Sequence, residues 1–394
     1  MNPSIEPTVS GSSRPDFPKE DWDRAPWNRW TFQHIAEILP TAPVRHAPDH
    51  VIELKQDFQP LGSIPFSAEG TTVRISDWIE SSFTDGFIVI KNNTIIAEQY
   101  LNGMTPSTLH LAQSVSKSIT ATAFGILAAR GLVEPERLII DYLPELAQTA
   151  YATARVQHIL DMTSGVRFDE NYTDPYSDVG KIDIASGWKQ ATLPGKWPSS
   201  MHELILDLKT TIRPHGAQFE YRSIETDVLA WVMERVTGKS LSEIVSEEIW
   251  QKIGAEHDAC FTVDSTGFAL GDGGFNASLR DFARFGLLWA NHGKVNSQQI
   301  LSPSWIEATR DGDSSLFHSP HTDILPEGAY RNQFWLTKGQ NGVLLCRGVF
   351  GQLIYIDCER SFLAVKLSTW PEFTSPARLR TAISALSTLA ELVG

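Results

Sequence analysis

The order in which β-rich and helix-forming segments follow one another is the strongest constraint on the fold of this 394-residue chain. Two β-rich runs, residues 86–91 and 94–100, flank Asn92-Asn93 and predict a β-hairpin with a two-residue turn. A long, mainly helical block follows, from about residue 130 to about residue 310. Near the C-terminus lie three further β-rich runs, residues 342–347, 352–357 and 362–367. Strands this close in sequence favour antiparallel pairing, so both groups are expected to form one sheet.

This order predicts an α+β fold, in which an antiparallel sheet is flanked by helices as in an α/β sandwich and a helical lobe is inserted. Residues 21–110 and 330–394 are expected to form the discontinuous sheet unit, and residues 111–329 the mainly helical lobe with a lid loop. The Pro- and Ser-rich residues 1–20 carry little to bury and are expected to be a flexible tail. A cleft between the two lobes is the expected place for a site.

Local signals predict individual helices and one long loop. Apolar spacing, helix caps and terminal glycines predict helices at about residues 114–130, 224–236 and 279–291, and a last helix after Ser375-Pro376. Residues 165–198 are rich in Asp, Gly, Pro and Tyr and are expected to be a loop.

The charge and residue content exclude several classes of protein. A net charge of −14 argues against a nucleic-acid binder or an anionic membrane surface as partner, since both need clustered Lys and Arg. Three cysteines without a CxxC pair, and eleven histidines without ligand spacing, indicate neither a zinc site nor a disulfide framework. The sequence indicates no membrane span and no signal peptide, so we expect a cytoplasmic protein that needs no metal or organic cofactor.

The chemical signal is an S-x-x-K tetrad formed by Ser114 and Lys117 at the start of a predicted helix. Positions three apart share a helix face, so the hydroxyl and the amine can hydrogen-bond. The helix N-terminus adds N–H groups and partial positive charge, which is expected to depress the lysine pKa from about 10.4. A second tetrad, Ser186 to Lys189, contains Gly187 and lies in the predicted loop, so we interpret it as a chance copy.

Further segments resemble the serine β-lactamase and penicillin-binding-protein superfamily, and they occur in that superfamily's order. Residues 110–133 resemble its nucleophile helix, and residues 159–165 its leucine–threonine–serine–glycine landmark. Residues 219–223 are similar to the second catalytic motif, and residues 271–286 to the glycine turn and helix that follow. The resemblance covers about residues 80–390, and its fold agrees with the element order described above.

The resemblance implies roles for particular residues. Ser114 is the implied nucleophile, Lys117 its general base, and Tyr221 the group that passes a proton to the leaving group. A tyrosine with a reference pKa of about 10 can do this beside a cationic lysine. The backbone N–H groups of Ser114 and Val349 would form the oxyanion hole, and Gly348 would let a substrate backbone approach closely.

Two positions depart from the superfamily's motifs. The second motif ends in Ser223, where many relatives have Asn, although a hydroxyl can still hydrogen-bond. The third motif, usually Lys-Thr-Gly or His-Thr-Gly, is Cys346-Arg347-Gly348 and lacks the leading cation. Arg347 could supply this charge, but the sequence does not fix the direction in which it faces. The missing cation disfavours a β-lactamase.

Within the superfamily, longer strings resemble the 6-aminohexanoate-dimer (nylon-oligomer) hydrolase family and its carboxylesterase-like relatives. These strings are residues 28–34, 104–117, 171–175, 185–188, 219–231, 351–352 and 366–371. The resemblance implies that Tyr172 touches the scissile amide and that Trp188 forms part of a lid. It also implies substrate contacts at Asp183, which could pair with an ammonium, and at Asp272. On residue type alone, Asp183 could equally be a solvated loop residue and Asp272 part of a glycine turn.

The expected function is therefore an amidase or esterase that cleaves a small-molecule amide or ester through an acyl-enzyme. A β-lactamase or D,D-peptidase, and a carboxylesterase or transesterase for another substrate, stay open as alternatives. A non-catalytic binding or scaffold protein on the same fold is a further alternative, disfavoured by the intact Ser114, Lys117 and Tyr221. The acidic surface is compatible with a monomer or a homodimer.

Overall fold

The computed structural model describes residues 14–393. Its strands are β1 (Thr41–Val44), β2 (Lys55–Gln56), β3 (Pro65–Ala68), β4 (Thr71–Arg74), β5 (Thr84–Lys91), β6 (Thr94–Tyr100), β7 (His110–Leu111), β8 (Ala259–Thr262), β9 (Phe275–Ala277), β10 (Lys294–Val295), β11 (Gln298–Gln299), β12 (Ala329–Arg331), β13 (Phe334–Leu336), β14 (Leu344–Gly348), β15 (Gln352–Asp357) and β16 (Phe362–Ser368). Its α-helices are α1 (Asn28–Thr31), α2 (Ile75–Ser81), α3 (Val115–Ala129), α4 (Val156–Leu160), α5 (Asp178–Ala185), α6 (Met201–Asp207), α7 (Ile224–Thr237), α8 (Leu241–Val245), α9 (Leu279–Ala290), α10 (Pro303–Arg310) and α11 (Pro376–Leu392). Within residues 14–393, no helix is long and apolar enough to cross a bilayer.

The β-rich runs from both ends of the chain meet in one eight-stranded sheet, ordered β12-β13-β14-β15-β16-β5-β6-β2. The hairpin turns at Asn92 and Asn93, whose φ angles of 48° and 60° suit a two-residue turn. The predicted fold class is confirmed. One edge differs from the prediction, because the short strand β2 pairs with β6 in parallel.

Both faces of this sheet are buried, which explains why its central strands are almost continuously apolar. Successive side chains of a strand point to opposite faces. In β5, Ile88 and Ile90 therefore join the core that contains α3 and α9, whereas Phe87 and Val89 join the core beneath α11. The sheet is thus a rigid wall between two helical layers.

A second, four-stranded antiparallel sheet, ordered β1-β8-β9-β7, was not predicted. Its strands have two to four residues each, too few for a local periodicity to mark them, and β1 and β7 are distant in sequence from β8 and β9. Strand β7 pairs with β9 just before the chain turns into α3. This sheet therefore fixes the point at which the S-x-x-K tetrad begins.

One local prediction, the loop at residues 165–198, differs from the structure. The predicted loop 165–198 contains the helix α5, which Ser177 caps by accepting a hydrogen bond from the Gly180 N–H at 3.0 Å. The predicted tail, residues 1–20, lies largely outside the described residues, since the description begins at Arg14. The four predicted helices are present as α3, α7, α9 and α11.

Candidate active site

Ser114 and Lys117 lie together where α3 begins. Ser114 is the N-cap residue, and the Lys117 Nζ atom is 3.0 Å from the Ser114 Oγ atom. Gln113 adopts a φ of 50°, a left-handed conformation that turns the chain sharply into the helix. Lys117 is 1% exposed and Ser114 is half-buried, so Ser114 is the member of the pair that a substrate can reach.

The Lys117 ammonium lies among acidic groups from other segments. Its Nζ atom donates to the Asp272 carbonyl oxygen at 2.7 Å and lies 3.5 Å from the Asp272 carboxylate. Burial lowers its pKa, but the nearby acidic groups, among them the carboxylates of Asp272 and Glu170, outweigh burial and raise the pKa. The predicted depression of the lysine pKa by the helix N-terminus is therefore wrong. With its pKa raised, the lysine is cationic at neutral pH.

A second buried acid, Asp227, lies behind Asp272. Its Oδ1 atom accepts the Gly271 N–H at 2.9 Å. Within residues 14–393, Asp227 and Asp272 each keep one buried carboxylate oxygen that accepts no hydrogen bond. Burial raises the pKa of Asp227 well above its usual range, and the neighbouring Asp272 adds a smaller effect in the same direction. Of these two carboxyl groups, that of Asp272 is the one that faces the lysine.

Tyr221 lies in the loop before α7, and the landmark segment of residues 159–165 holds this loop. The Glu220 N–H donates to the Met162 carbonyl oxygen at 2.9 Å. The Lys117 Nζ atom is 5.2 Å from the centre of the Tyr221 ring. Burial raises the pKa of Tyr221, against the opposing effects of the Lys117 charge and of hydrogen bonds to Ser114 and Lys117. The phenol therefore carries its proton at neutral pH.

Glu170 belongs to the site, and sequence reasoning missed it. Its carboxylate accepts hydrogen bonds from the Tyr172 hydroxyl at 2.7 Å, from the Ser223 N–H at 3.0 Å and from the Ser223 hydroxyl. Ser223, at the end of the second motif, thus orients a carboxylate. Burial raises the pKa of Glu170, although Lys117 and Ser223 lower it. In the sequence, the one indication that Glu170 belongs to the site was an acidic residue two positions before Tyr172.

Strand β14 ends beside the Ser114 turn. A Cβ atom at Gly348 would lie 2.6 Å from the Ala112 carbonyl oxygen, so only glycine lets the strand pack this closely. Glycine is required at this position because the protein's own backbone, at Ala112, approaches the strand. Within residues 14–393, the N–H groups of Ser114 and Val349 donate to no protein acceptor. Two free N–H groups beside a hydroxyl form a ready site for an oxyanion.

Arg347, the candidate for the missing third-motif cation, faces the cleft. Its guanidinium carbon is 4.1 Å from the centre of the Trp335 ring, a cation–π contact. Burial lowers the pKa of Arg347 to about 10, and it stays cationic at neutral pH. Among the described residues, no carboxylate forms an ion pair with this guanidinium, so its charge is available to a ligand.

Two adjoining cavities form the cleft. The larger has a volume of about 660 Å³ and is lined by residues that include Ser114, Tyr221 and Arg347. The smaller has a volume of about 280 Å³ and is lined by residues that include Asp23, Arg24, Asp183 and Trp188. The walls of both cavities share Tyr172, Val349 and Phe373. The two cavities therefore adjoin at these three residues.

Trp188 anchors the segment that covers the smaller cavity. Its Nε1 atom donates to the Thr262 hydroxyl at 2.9 Å, and its carbonyl oxygen accepts from the Trp22 Nε1 atom at 2.8 Å. Its indole ring contacts the Trp22 ring edge-on, with 5.2 Å between the ring centres. The aromatic N-terminal region, through Trp22, thus packs on the segment that contains Trp188.

Asp183 and Asp272 lie in different surroundings. Asp183 lines the smaller cavity, where burial raises its pKa to about 6. The Asp272 carboxylate faces Lys117 and lines neither cavity, in contrast to the expected substrate contact. The reason is that Thr120, on α3, binds the adjacent Gly271 carbonyl oxygen at 3.0 Å and pulls the glycine turn against the helix.

Replacing Asp272 by asparagine is expected to shift the rising limb of the pH–activity profile to lower pH. Lys117 must lose its proton before it can accept one from Ser114, and the Asp272 carboxylate raises the Lys117 pKa. Asparagine keeps the size and the backbone acceptor but removes the charge, so a shift of about one pH unit is expected. The measurement is kcat/KM for a neutral ester across the pH range. The control Asp258→Asn, at an acid paired with Arg45, should leave the limb in place; an unmoved limb in D272N contradicts the electrostatic role.

The groups that meet at the larger cavity are a hydroxyl, a buried amine, a phenol and two free backbone N–H groups. Groups of these kinds are the ones that acyl transfer requires as nucleophile, base, acid and oxyanion donors. Within residues 14–393, no group of three or more His, Cys, Asp or Glu side chains is arranged to hold a metal ion.

The fold and this set of groups define a serine hydrolase of the β-lactamase type. The Beta-lactamase family model matches residues 83–387, more than half of the chain, and the chain belongs to this family. The predicted superfamily, fold and enzyme class are confirmed.

Named relatives narrow this class further. The chain is 34% identical over 360 residues to the 6-aminohexanoate-dimer hydrolase of Paenarthrobacter ureafaciens, an alignment that covers 90% of this chain and 88% of the relative. A solved structure from Bacillus anthracis, provisionally named a 6-aminohexanoate-dimer hydrolase, is 27% identical with a TM-score of 0.89 and covers 97% of this chain and 98% of its own. EstCE1, a hydrolase with promiscuous acyltransferase activity, shares the fold at 16% identity with a TM-score of 0.62, covering 78% of this chain and 96% of its own. The chain is thus a homologue of 6-aminohexanoate-dimer hydrolase with esterase-like structural neighbours.

Proposed function

We propose that this protein hydrolyses amide or ester bonds of small linear substrates through an acyl-enzyme on Ser114. The observation that carries the proposal is the 3.0 Å contact between Lys117 Nζ and Ser114 Oγ in an open cleft. The two free backbone N–H groups beside the hydroxyl support it. Substrates of the 6-aminohexanoate-dimer type are proposed because a relative of that name aligns over nine-tenths of the chain.

In the acylation step, the deprotonated form of Lys117 takes the proton from Ser114 Oγ as this oxygen attacks the substrate carbonyl carbon. The carbonyl oxygen becomes an oxyanion and accepts hydrogen bonds from the N–H groups of Ser114 and Val349. The raised pKa of Lys117 makes it a strong base but leaves only a minor fraction deprotonated, so the rate is expected to increase with pH.

The leaving group departs with a proton from Tyr221. This phenol keeps its proton at neutral pH. The Lys117 Nζ atom lies 5.2 Å from the centre of its ring, so the lysine is placed to return a proton to it. Tyr172, whose hydroxyl donates to Glu170, lies on the wall that both cavities share and is proposed to contact the scissile group. Water then attacks the acyl-enzyme by the same route in reverse and releases the acid.

The larger cavity is proposed to take the leaving half of the substrate, because Tyr221 lines this cavity. The Arg347 guanidinium in the same wall would hold a carboxylate at the far end of that half. The smaller cavity, covered by the segment that Trp188 anchors, would take the acyl half.

A β-lactamase or D,D-peptidase is the second candidate, and the free Arg347 guanidinium favours it, since substrates of these enzymes carry a carboxylate. The missing leading cation of the third motif counts against it. Arg347 therefore makes a chromogenic cephalosporin a necessary member of any substrate panel.

The proposal is tested with p-nitrophenyl esters, 6-aminohexanoate dimer and a chromogenic cephalosporin, each with the wild type and with the Ser114→Ala variant. We expect Ser114-dependent hydrolysis of the esters and slower hydrolysis of the dimer amide, with no measurable opening of the cephalosporin. Cephalosporin turnover that exceeds ester turnover would favour the second candidate. Equal rates for wild type and variant on every substrate would contradict both.

A further inference from the structure

The smaller cavity contains a charge cluster that the reaction described above does not use. The Lys189 Nζ atom is 3.0 Å from the Asp23 Oδ2 atom and 3.1 Å from the Asp183 Oδ2 atom. The exposed fractions of these side chains are 15%, 5% and 28%, so the cluster is largely shielded from water. Lys189 belongs to the second S-x-x-K tetrad, and its ammonium pairs with the two carboxylates instead of with Ser186.

The cluster lies where the end of an acyl chain would reach. Tyr221, the proposed proton donor to the leaving group, lines the larger cavity, which leaves the smaller cavity for the acyl half. Asp183 and Lys189 both line the smaller cavity. A carboxylate at this end would attract a terminal ammonium of the acyl chain. The Lys189 ammonium already fills that position, between the two carboxylates.

We infer that Lys189 is a specificity-determining residue: its ammonium occupies the cation niche between Asp23 and Asp183 and disfavours acyl groups that end in a free amine. Acyl groups with an uncharged polar end avoid the repulsion between like charges and are preferred. The 6-aminohexanoate dimer, whose acyl half ends in an amine, is therefore expected to be hydrolysed more slowly than linear substrates with an uncharged acyl end. This inference rests on the proposed function, because it assigns the acyl end of the same cleft. It also predicts that removing the lysine converts the niche into an ammonium site.

The test compares p-nitrophenyl 6-aminohexanoate with its N-acetylated analogue and uses the ratio of their kcat/KM values. In the wild type, the amine-ended ester is expected to be the poorer substrate. In Lys189→Met the ratio is expected to rise by about tenfold or more in favour of the amine, because Asp183 loses its cation and Asp23 keeps only its longer contact with Arg24, at 3.8 Å. In the double variant with Asp183→Asn the gain is expected to disappear.

Lys181→Met is the matched control, since Lys181 lies on α5, the helix that carries Asp183, but pairs with Asp178. Its ratio should equal that of the wild type. Lys189→Gln, which keeps hydrogen-bonding capacity, serves as a second variant if the methionine substitution disturbs folding, and it should raise the ratio in the same direction. A ratio within about twofold of the wild type in a folded Lys189 variant that still hydrolyses the acetylated ester overturns this inference alone. Loss of Ser114-dependent hydrolysis of both esters in the wild type overturns the proposed function and the inference with it.

Discussion

Ser114→Ala is expected to lower kcat/KM for every substrate by at least about 10⁴-fold, because no other group can form the acyl-enzyme. The fold should survive. The Ser114 side chain makes no capping hydrogen bond at the start of α3, so its loss leaves no helix amide newly unpaired. Circular dichroism and the unfolding midpoint are expected to match the wild type, while ester hydrolysis falls to background.

The matched control for this variant is Ser186→Ala, at the serine of the second S-x-x-K tetrad. The Ser186 hydroxyl hydrogen-bonds the Asp183 carbonyl oxygen at 3.3 Å, not an amine. Its removal should leave most of the activity in place. Full activity in the Ser114 variant, or an equal loss in both variants, would remove Ser114 from the mechanism.

Lys117→Met is expected both to abolish activity and to destabilise the fold. The lysine is 1% exposed, and its charge balances Asp272 and Glu170. Removing one partner of a buried charge cluster leaves uncompensated carboxylates, which costs about 3–5 kcal/mol. Urea unfolding at about pH 5 and about pH 8 measures this loss.

The pH dependence of that loss follows from the carboxylates. Burial raises the folded-state pKa of both Glu170 and Asp227 above the unfolded value. A folded acid with a raised pKa contributes stability that is present at low pH and is lost as the pH rises through that pKa. Without the Lys117 cation these pKa values rise further. The loss of unfolding free energy in Lys117→Met, relative to the wild type, should therefore be larger at about pH 8 than at about pH 5.

Lys366→Met is the control for losing a buried lysine. Lys366 is also 1% exposed, but it hydrogen-bonds the Ser82 carbonyl oxygen and the Ser368 hydroxyl in the sheet. This variant should keep hydrolytic activity. A fully active Lys117→Met enzyme, or a stability deficit that shrinks as the pH rises, would contradict the described charge balance.

The parts of the fold that could be predicted are those with a strong local period. The hairpin, the meander and α11 each combine a long apolar pattern with a clear turn or cap. Strands of the second sheet have too few residues to show a pattern, and their pairing depends on segments more than a hundred residues apart. The division into a discontinuous sheet unit, residues 21–110 and 330–394, and a lobe, residues 111–329, stays a prediction.

The site shows the same limit at the level of single residues. The contact between Ser114 and Lys117 could be predicted from their spacing, because residues three positions apart lie on the same face of a helix. The lysine pKa could not be predicted, because the acids that raise it, Asp272 and Glu170, come from distant loops. Helix α5 could have been predicted from the sequence, because Ser177 precedes a short apolar repeat in the position of an N-cap residue.

The central claim is that catalysis passes through an acyl group on Ser114. The direct measurement is mass spectrometry of the wild type, acid-quenched within the first turnover of p-nitrophenyl acetate and then digested. An acetyl adduct on the peptide that contains Ser114, absent from the Ser114→Ala variant, is the predicted result. Turnover of the ester without any adduct, or an adduct that persists in the variant, would contradict the account.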